Sequence, residues 1–371
     1  MKLIKVGILF GGKSGEHEVS IQSASNILRE IDRSKYYPIP IGIKKNGKIA
    51  SDSEIKSMLP PDLLYILDNK SIQTEKTSID KQNSNKIINN ETNFGLSNDV
   101  ITNIENKYDV IFPVLHGPNG EDGTIQGLLE LMDIPYVGSG VLGSSTGMDK
   151  EIMKRIFMSH DLPILPFYSF KKFQWDKDKS DVIKNIEYSL TYPAFVKPAN
   201  MGSSVGITKA HNRNELIQGV DEALQYDIKI VVEQGINARE IEISILGNDN
   251  PITSVLGEII PCKEFYDYEA KYLSEGSKLI IPAQIDSSIE QNIKECAIKA
   301  FLALDCSGLA RIDFFIDKLD NKVYINEINT LPGFTKISMY PKLWEVSGIP
   351  YPKLIDQLIT LAIEKHKTKP S

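Results

Sequence analysis

Apolar runs, each ended by a glycine-rich or polar turn and followed by a stretch of helical period, mark the first third of the chain. Lys5 to Phe10 reads as a buried strand, Gly11-Gly12-Lys13-Ser14-Gly15 breaks it, and a helical pattern runs from about Glu18 to Ile31. Tyr108 to Gly117 is a second buried strand ending in a loop, Pro118 to Gly123 that loop, and Thr124 to Met132 the next helix. Strand, turn and helix in that order predict an open parallel α/β sheet. Between these units, Ser51 to Asn106 is rich in Asn, Lys, Ser and Ile and includes Pro60-Pro61 and the polar run Lys81 to Thr92. That stretch reads as a variable insertion with little chemistry of its own.

Further along, Gly147-Met148-Asp149-Lys150 opens a helix running to about His160. Pro193 to Pro198 is a strand that enters the loop Ala199-Asn200-Met201-Gly202-Ser203-Ser204-Val205-Gly206-Ile207. Ile228 to Ile236 and Arg239 to Ile245 are strands, and Glu240 and Glu242 alternate with Ile241 and Ile243 in the second, a pattern that predicts a solvated face for Glu242. Gly308 to Asp317 and Val323 to Thr330 flank the turn Lys318-Leu319-Asp320-Asn321-Lys322 and predict a hairpin. Centred on Asp320, that hairpin sets Asp313 opposite Glu327 and Arg311 opposite Asn329, with Phe315, Val323 and Ile325 on the same face nearer the turn.

Length alone calls for two or three domains, because 371 residues exceed one ordinary core. The boundaries expected are 1–146, with 51–106 as its insertion, then 147–234 and 235–371. A hydrophobic share of 41% and a charged share of 25% are those of a soluble globular protein. The net charge of −7 comes from dispersed residues, which excludes the basic footprint of a nucleic-acid binder. Cys262, Cys296 and Cys306 are widely spaced and lack CxxC pairing, which fits a reducing compartment better than disulfides or zinc. Cys296 shares an apolar stripe with Ile289, Ile293, Ala300 and Leu304, so core packing is its expected role. The apolar run Val6 to Phe10 is too short for a signal sequence or a membrane span, so the expected location is the cytoplasm, with no membrane partner.

Candidate chemistry collects at four places. Asp313, Glu327 and Asn329 are oxygen ligands of the kind Mg²⁺ accepts, although a solvated strand end in which Arg311 pairs with Asp313 explains the same residues. Lys197 is an ammonium on an otherwise apolar strand and needs an anion. The Gly202-Ser203-Ser204 loop beside it offers N–H groups and hydroxyls to a phosphate, or is a plain turn. Glu16, at the helix entrance, either complements the helix dipole or holds a substrate ammonium, and His116 ends a strand where open α/β sheets place ligands. Gly7…Gly12-Lys13-Ser14 satisfies a P-loop pattern by letter only, because Ile8, Leu9 and Phe10 belong to the strand.

Seven motifs fall in one order along the chain: Gly11-Gly12-Lys13-Ser14-Gly15-Glu16-His17-Glu18-Val19-Ser20, His116-Gly117…Gly120-Glu121-Asp122-Gly123, Met148-Asp149-Lys150, Val196-Lys197-Pro198…Gly202-Ser203-Ser204-Val205-Gly206, Phe265-Tyr266-Asp267-Tyr268-Glu269-Ala270-Lys271-Tyr272, Arg311-Ile312-Asp313, and Asn326-Glu327-Ile328-Asn329-Thr330…Pro332-Gly333-Phe334-Thr335. In this order the chain resembles the D-alanine–D-alanine ligases of the ATP-grasp superfamily, over everything but Ser51–Asn106 and the last few residues. The resemblance implies an ATP-grasp fold, mixed α/β and α+β, behind an N-terminal open parallel α/β domain. It implies ATP-dependent joining of two D-alanines through a D-alanyl phosphate for peptidoglycan precursors, with two Mg²⁺ or Mn²⁺ ions and a homodimer.

Carried onto this chain, the resemblance gives Glu16 the ammonium of the first D-alanine, with Ser203 and Tyr272 in one cluster and His116 close by. Lys150, Lys197, Lys271, Ser203 and Ser204 would face ATP phosphates. Glu233 and the backbone of Gln234 and Ile236 would face adenine, and Glu240 the ribose. Asp313, Glu327 and Asn329 would hold the metals. Arg311 and the Gly333 N–H would stabilise the oxyanion, and Ser338 and Met339 would take the second carboxylate. Gln234 stands where many relatives carry Lys, and Met339 where many carry Leu. Tyr272 favours the dipeptide over a D-alanine–D-lactate depsipeptide; a D-alanine–D-lactate or D-alanine–D-serine ligase, or another ATP-grasp carboxylate–amine ligase, is the alternative.

Overall fold

The computed structural model of the protein describes residues 2–66, 107–260 and 278–368. The chain begins with β1 (Ile4–Gly11), α1 (His17–Glu30), β2 (Tyr36–Ile43), α2 (Asp52–Met58), β3 (Val110–Val114), α3 (Thr124–Leu131) and α4 (Val141–Met148). β1 is the middle of a three-stranded parallel sheet ordered β2-β1-β3. Its apolar run is covered on both faces, and Val6, Ile8 and Phe10 are fully buried. Gly11 (φ +95°) and Gly12 (φ +99°) turn the chain in the left-handed region that glycine tolerates. Gly12 N–H donates to the Ile43 carbonyl at 2.9 Å, and Lys13 is exposed. That turn is tied to a strand, which agrees with rejecting the P-loop reading.

Residues 51–66, expected to open the insertion, belong to the first core. Ser51 caps α2 reciprocally with Glu54, and Ile55, Leu59, Leu63 and Ile66 are buried in the first core. The polar residues between them simply form the outer face. Residues 67–106 lie outside those described.

The middle of the chain forms α5 (Lys150–Ser159), β4 (Phe167–Lys171), α6 (Lys172–Lys177), α7 (Lys179–Ser189), β5 (Ala194–Pro198), β6 (Thr208–Ala210), α8 (Arg213–Ala223) and β7 (Lys229–Gln234). Its four-stranded antiparallel sheet, ordered β4-β7-β5-β6, has its own core around Trp175, Val196, Leu216 and Val232.

Then follow β8 (Ala238–Gly247), β9 (Ile252–Ile260), β10 (Lys278–Ile280), α9 (Ser287–Ala303), β11 (Gly308–Asp317), β12 (Val323–Asn329), α10 (Met339–Val346) and α11 (Tyr351–Lys367). The sheet order is β10-β9-β8-β11-β12, all antiparallel. α9 packs through Ile293, Ala297, Ala300 and Phe301, with Cys296 half-buried beside them. Among the described residues no helix is long and apolar enough to cross a membrane.

The β11–β12 hairpin keeps the expected register at its polar end, with Arg311 opposite Asn329 and Asp313 opposite Glu327. A bulge follows: Phe314 pairs with Ile325 and Phe315 with Tyr324, so Asn326 has no residue opposite. The extra residue inverts the alternation on the turn side. Val323 and Ile325, expected on the polar face, are buried with Ile312 and Phe314 instead, while Asn326 meets Lys197 beside the cleft that Glu327 lines.

α11 returns to the start of the chain. Leu354, Ile355, Leu358 and Ile359 share one core with Val6, Ile8 and Phe10 of β1 and Ile27 and Leu28 of α1. Asp356 accepts from Lys35 Nζ at 2.9 Å and from the Tyr36 hydroxyl at 2.7 Å.

Candidate active site

A cleft of about 360 Å³ lies where the three sheets meet. The N-terminal part supplies Glu16, His116 and Glu121; the middle supplies Lys150, Met201, Gly202, Ser203 and Ser204; the C-terminal part supplies Glu242, Arg311, Glu327, Asn329, Gly333, Ser338 and Met339.

Glu16 precedes α1 without capping it through its side chain. Its carboxylate instead accepts a hydrogen bond from the Ser203 hydroxyl, 187 residues away. Ser203 (φ 51°) and Ser204 (φ 61°) both hold left-handed backbone, a strain that surrounding structure must sustain. A Cβ at Gly117 (φ +73°) would lie 3.2 Å from Glu16 Oε2, so glycine suits this rim on conformation and space alike.

His116 is 6% exposed, and its Nδ1 donates to the Leu331 carbonyl at 3.2 Å. Because a carbonyl only accepts, Nδ1 carries the proton, and the buried Nε2, which has no hydrogen-bond partner, is left an acceptor. Burial lowers the imidazole pKa against the pull of Glu16, which keeps the ring neutral. Glu121 Oε2 accepts from Gly117 N–H at 2.7 Å, and burial, with Glu16 adding to it, pushes this carboxyl up to about 8. Glu121 belongs to the Gly120-Glu121-Asp122-Gly123 motif, but nothing in the sequence marks it for a role.

Lys150 Nζ donates to the Met201 carbonyl at 2.7 Å and lies 3.7 Å from Glu327 Oε2. Lys197, the buried ammonium that needed an anion, donates to Glu233 Oε2 at 2.9 Å and to Asn326 Oδ1 at 3.4 Å. Lys154, which the sequence reading passed over inside an amphipathic helix, lies 3.3 Å from Glu233 Oε1 and is 1% exposed. Burial disfavours the Glu233 carboxylate, yet Lys154 and Lys197 overcome it and hold its pKa below the usual range.

Glu233 and Gln234 end β7, Ile236 lies in the link to β8, and Glu240 pairs with Phe315 and Ile259 on β8. With Lys197 and Asp313, these residues sit beside the cleft and do not line it; the Lys197–Asn326 bond joins the two regions. The Gln234 amide is committed elsewhere, accepting from Thr191 N–H at 2.8 Å and donating to the Gly235 carbonyl at 3.0 Å. The Gln234 backbone N–H donates to the Pro166 carbonyl at 2.9 Å.

At the polar end of the hairpin, Arg311 Nε and Nη2 donate to Asp313 at 2.7 and 2.8 Å, and Nε lies 3.0 Å from Glu242 Oε2. Burial opposes this charge, but Asp313 and then Glu242 raise the guanidinium pKa well above its ordinary value. Glu242 is therefore no solvated residue: it is 6% exposed, because the polar face of β8 is the floor of the cleft. Asn329 Nδ2 donates to Asp313 Oδ2 at 3.1 Å.

A Cβ at Gly333 would come within 2.8 Å of Ser338 Oγ, which would have to move to admit it. Ser338 Oγ in turn accepts from Thr335 N–H at 3.0 Å. Met339 begins α10, and its Cε occupies space that a Cβ on Gly257 would need, at 2.3 Å. Lys271 and Tyr272 lie outside the described residues.

Comparison with known proteins gives one answer. A family model described as the D-ala D-ala ligase N-terminus matches residues 5–139, and one described as the D-ala D-ala ligase C-terminus matches residues 156–360. A D-alanine–D-alanine ligase of Natranaerobius thermophilus is 50% identical, covering 100% of this chain and 97% of that protein. D-alanine–D-alanine ligase B of Clostridium tetani is 51% identical over 98% of this chain and 94% of its own length. Among solved structures, the D-alanine–D-alanine ligase from Coxiella burnetii superposes with a TM-score of 0.77 at 33% identity, covering 99% of this chain and 96% of that one. The VanG D-Ala:D-Ser ligase from Enterococcus faecalis gives 0.76 at 34% identity, covering 97% and 100%. With both halves matched and relatives near half-identical end to end, the chain belongs to the D-alanine–D-alanine ligase family.

Proposed function

We propose that this chain joins two D-alanines into D-alanyl-D-alanine, driven by ATP, as a step toward peptidoglycan precursors. The observation that carries the reading is the Ser203–Glu16 hydrogen bond. It docks a phosphate-type loop onto a carboxylate suited to an amino acid's ammonium, in the same cleft as Arg311 and Gly333.

The carboxylate of the first D-alanine attacks the γ-phosphorus of ATP; the new P–O bond forms as the bond to ADP breaks. Glu16 holds this substrate's ammonium, and the neutral His116 offers Nε2 as an acceptor beside it. Lys150, Lys197, the Ser204 hydroxyl and the backbone of Ser203 face the phosphates, while Glu233, the backbone of Gln234 and Ile236, and Glu240 take the nucleoside. The amine of the second D-alanine, having lost a proton, attacks the acyl phosphate carbonyl. Arg311 and the Gly333 N–H stabilise the resulting oxyanion, and phosphate leaves. Ser338 and the Met339 backbone fix the second carboxylate. Lys271 and Tyr272 belong to the same reading, with Tyr272 favouring an amine over a hydroxyl nucleophile.

Asp313, Glu327 and Asn329 are oxygen donors on one face of one hairpin end, chemistry that fits Mg²⁺ or Mn²⁺. Among the described residues no three His, Cys, Asp or Glu side chains converge on a point, so nucleotide phosphates would complete the set. Two such ions, when bound, would neutralise phosphate charge. Arg311 now holds Asp313, and Glu242 offers that guanidinium a second anion when Asp313 turns to a cation.

Phosphate release by purified protein with ATP and Mg²⁺ tests the reading across D-alanine, L-alanine, D-serine and D-lactate. Turnover with D-alanine alone is expected. The likeness to a D-Ala:D-Ser ligase supplies the alternative: faster turnover when D-serine accompanies D-alanine would move the assignment there. A cytoplasmic homodimer completes the proposal; exposed Leu131 and Leu142 on successive helices α3 and α4 favour self-association, which sedimentation velocity measures.

A further inference from the structure

Lys154 carries a charge that the proposed chemistry leaves unused. It projects from α5, 1% exposed, with Nζ 3.3 Å from Glu233 Oε1 and 6.0 Å from the centroid of the Phe167 ring. The other oxygen of the same carboxylate accepts from Lys197 Nζ at 2.9 Å. Glu233 stands mid-sheet, in register with Phe167 of β4 on one side and Phe195 of β5 on the other. Two lysines share this one carboxylate, and burial with the neighbouring Lys197 lowers the Lys154 pKa against the pull of Glu233 and the more distant Glu327. Lys197 has the neutral Asn326 as its next partner, so an anion would complete the group.

The arrangement resolves a conflict. If Lys197 alone balanced Glu233, turning that ammonium toward a phosphate would strip the carboxylate of its only cation. With Lys154 on Oε1, Glu233 keeps a partner and its orientation while Lys197 serves the phosphate. We propose that Lys154 is a positioning residue for the nucleotide: it holds Glu233 as an acceptor for the 6-amino group of adenine and frees Lys197 for a phosphate. The inference rests on the adenine role proposed above for Glu233. Its chemical consequence is selection of a 6-amino purine over a 6-oxo purine, because a carboxylate accepts from the amino group and repels the oxo oxygen.

The test uses the full chain with D-alanine and compares ATP with inosine triphosphate in phosphate release. Lys154→Met leaves a neutral Lys197–Glu233 pair and no bare carboxylate, so a folded variant is expected, checked by thermal melting. For a lost charge-assisted contact, KM for ATP should rise about tenfold with kcat changed less than about threefold, and the preference for ATP should fall about tenfold. Lys154→Arg should restore most of both. Glu233→Gln should lower the preference by itself, and adding Lys154→Met to it should change little further.

A lower kcat with KM and preference unchanged, or no change at all, would overturn the role of Lys154. If Glu233→Gln leaves the preference intact, the adenine role of Glu233 falls instead, while dipeptide synthesis by the wild type still stands. Should Lys154→Met fail to fold, Lys154→Gln is read by the same two outcomes.

Discussion

Arg311 sits between two carboxylates, and its geometry decides which residue controls the proposed metal site. Both Asp313 oxygens are engaged by the guanidinium, so Arg311 would compete with a cation for Asp313, and Glu242 gives it a second anion. Glu242→Gln should therefore raise the Mg²⁺ concentration for half-maximal activity about tenfold, the usual scale for a residue that orients a metal ligand. A Mg²⁺ titration of phosphate release checks this, and an unchanged midpoint would remove Glu242 from that role. Glu121 gives a pH prediction. With its folded pKa raised to about 8, against about 4.3 for an ordinary Glu, the folded protein binds a proton that the unfolded chain releases. The stability it contributes is complete below the unfolded value and is lost as pH rises through about 8. In ligand-free melts, Tm should fall between about pH 5.5 and 8.5 more in the wild type than in Glu121→Gln, which has no proton to lose. Parallel curves would show that Glu121 is not the group responsible. Much of this site is legible from residues: alternation set Arg311 and Asp313 on one face, and the isolated ammonium of Lys197 asked for an anion. Glu242 was misjudged because Glu-Ile alternation looks the same whether the polar face meets water or a cleft. Lys154 was missed because one lysine in an amphipathic helix carries no signal until its partner strand is known.

The elements explain why the hairpin could be read so well at one end and not at the other. Period-two alternation and the turn residues determine register outward from Asp320, and the polar end follows it. The bulge at Asn326 leaves no mark on composition, yet a one-residue slip exchanges the faces of a strand. Its effect is specific: Val323 and Ile325 stay in the core, Glu327 lines the cleft and Asn326 meets Lys197 beside it. Without the bulge, keeping Glu327 on the site would have cost the apolar packing of Val323 and Ile325. β2 was invisible for another reason. Pro38 and Pro40 argue against a strand, since proline donates no ladder bond, but β2 lies at the edge of its sheet, where the donor is dispensable. Polar residues from 51 to 66 likewise concealed Ile55, Leu59, Leu63 and Ile66, whose spacing of about four is the signal that a composition-based reading overlooks.

Across the whole molecule, the order of the sheets follows the order of the motifs, but the way the cores join does not. α11, at the far end of the chain, completes the core beneath β1, whereas the middle sheet closes on a core of its own. Only long-range packing decides that, and local pattern cannot register it. The two tryptophans happen to report on the two cores: Trp344 lies in the first and Trp175 in the middle one, each 1% exposed. Leu358, fully buried in α11, touches the joint directly. Leu358→Ala should cost about 2–5 kcal/mol through lost burial and the cavity left behind. In urea unfolding, that loss should move the midpoint read from Trp344 in a Trp175→Phe background. It should leave the midpoint read from Trp175 in a Trp344→Phe background nearly in place, because no residue of the middle core belongs to the cluster that α11 completes. Equal shifts at both tryptophans would mean that the cleft couples the cores into one cooperative unit, and the separation argued from packing would not hold.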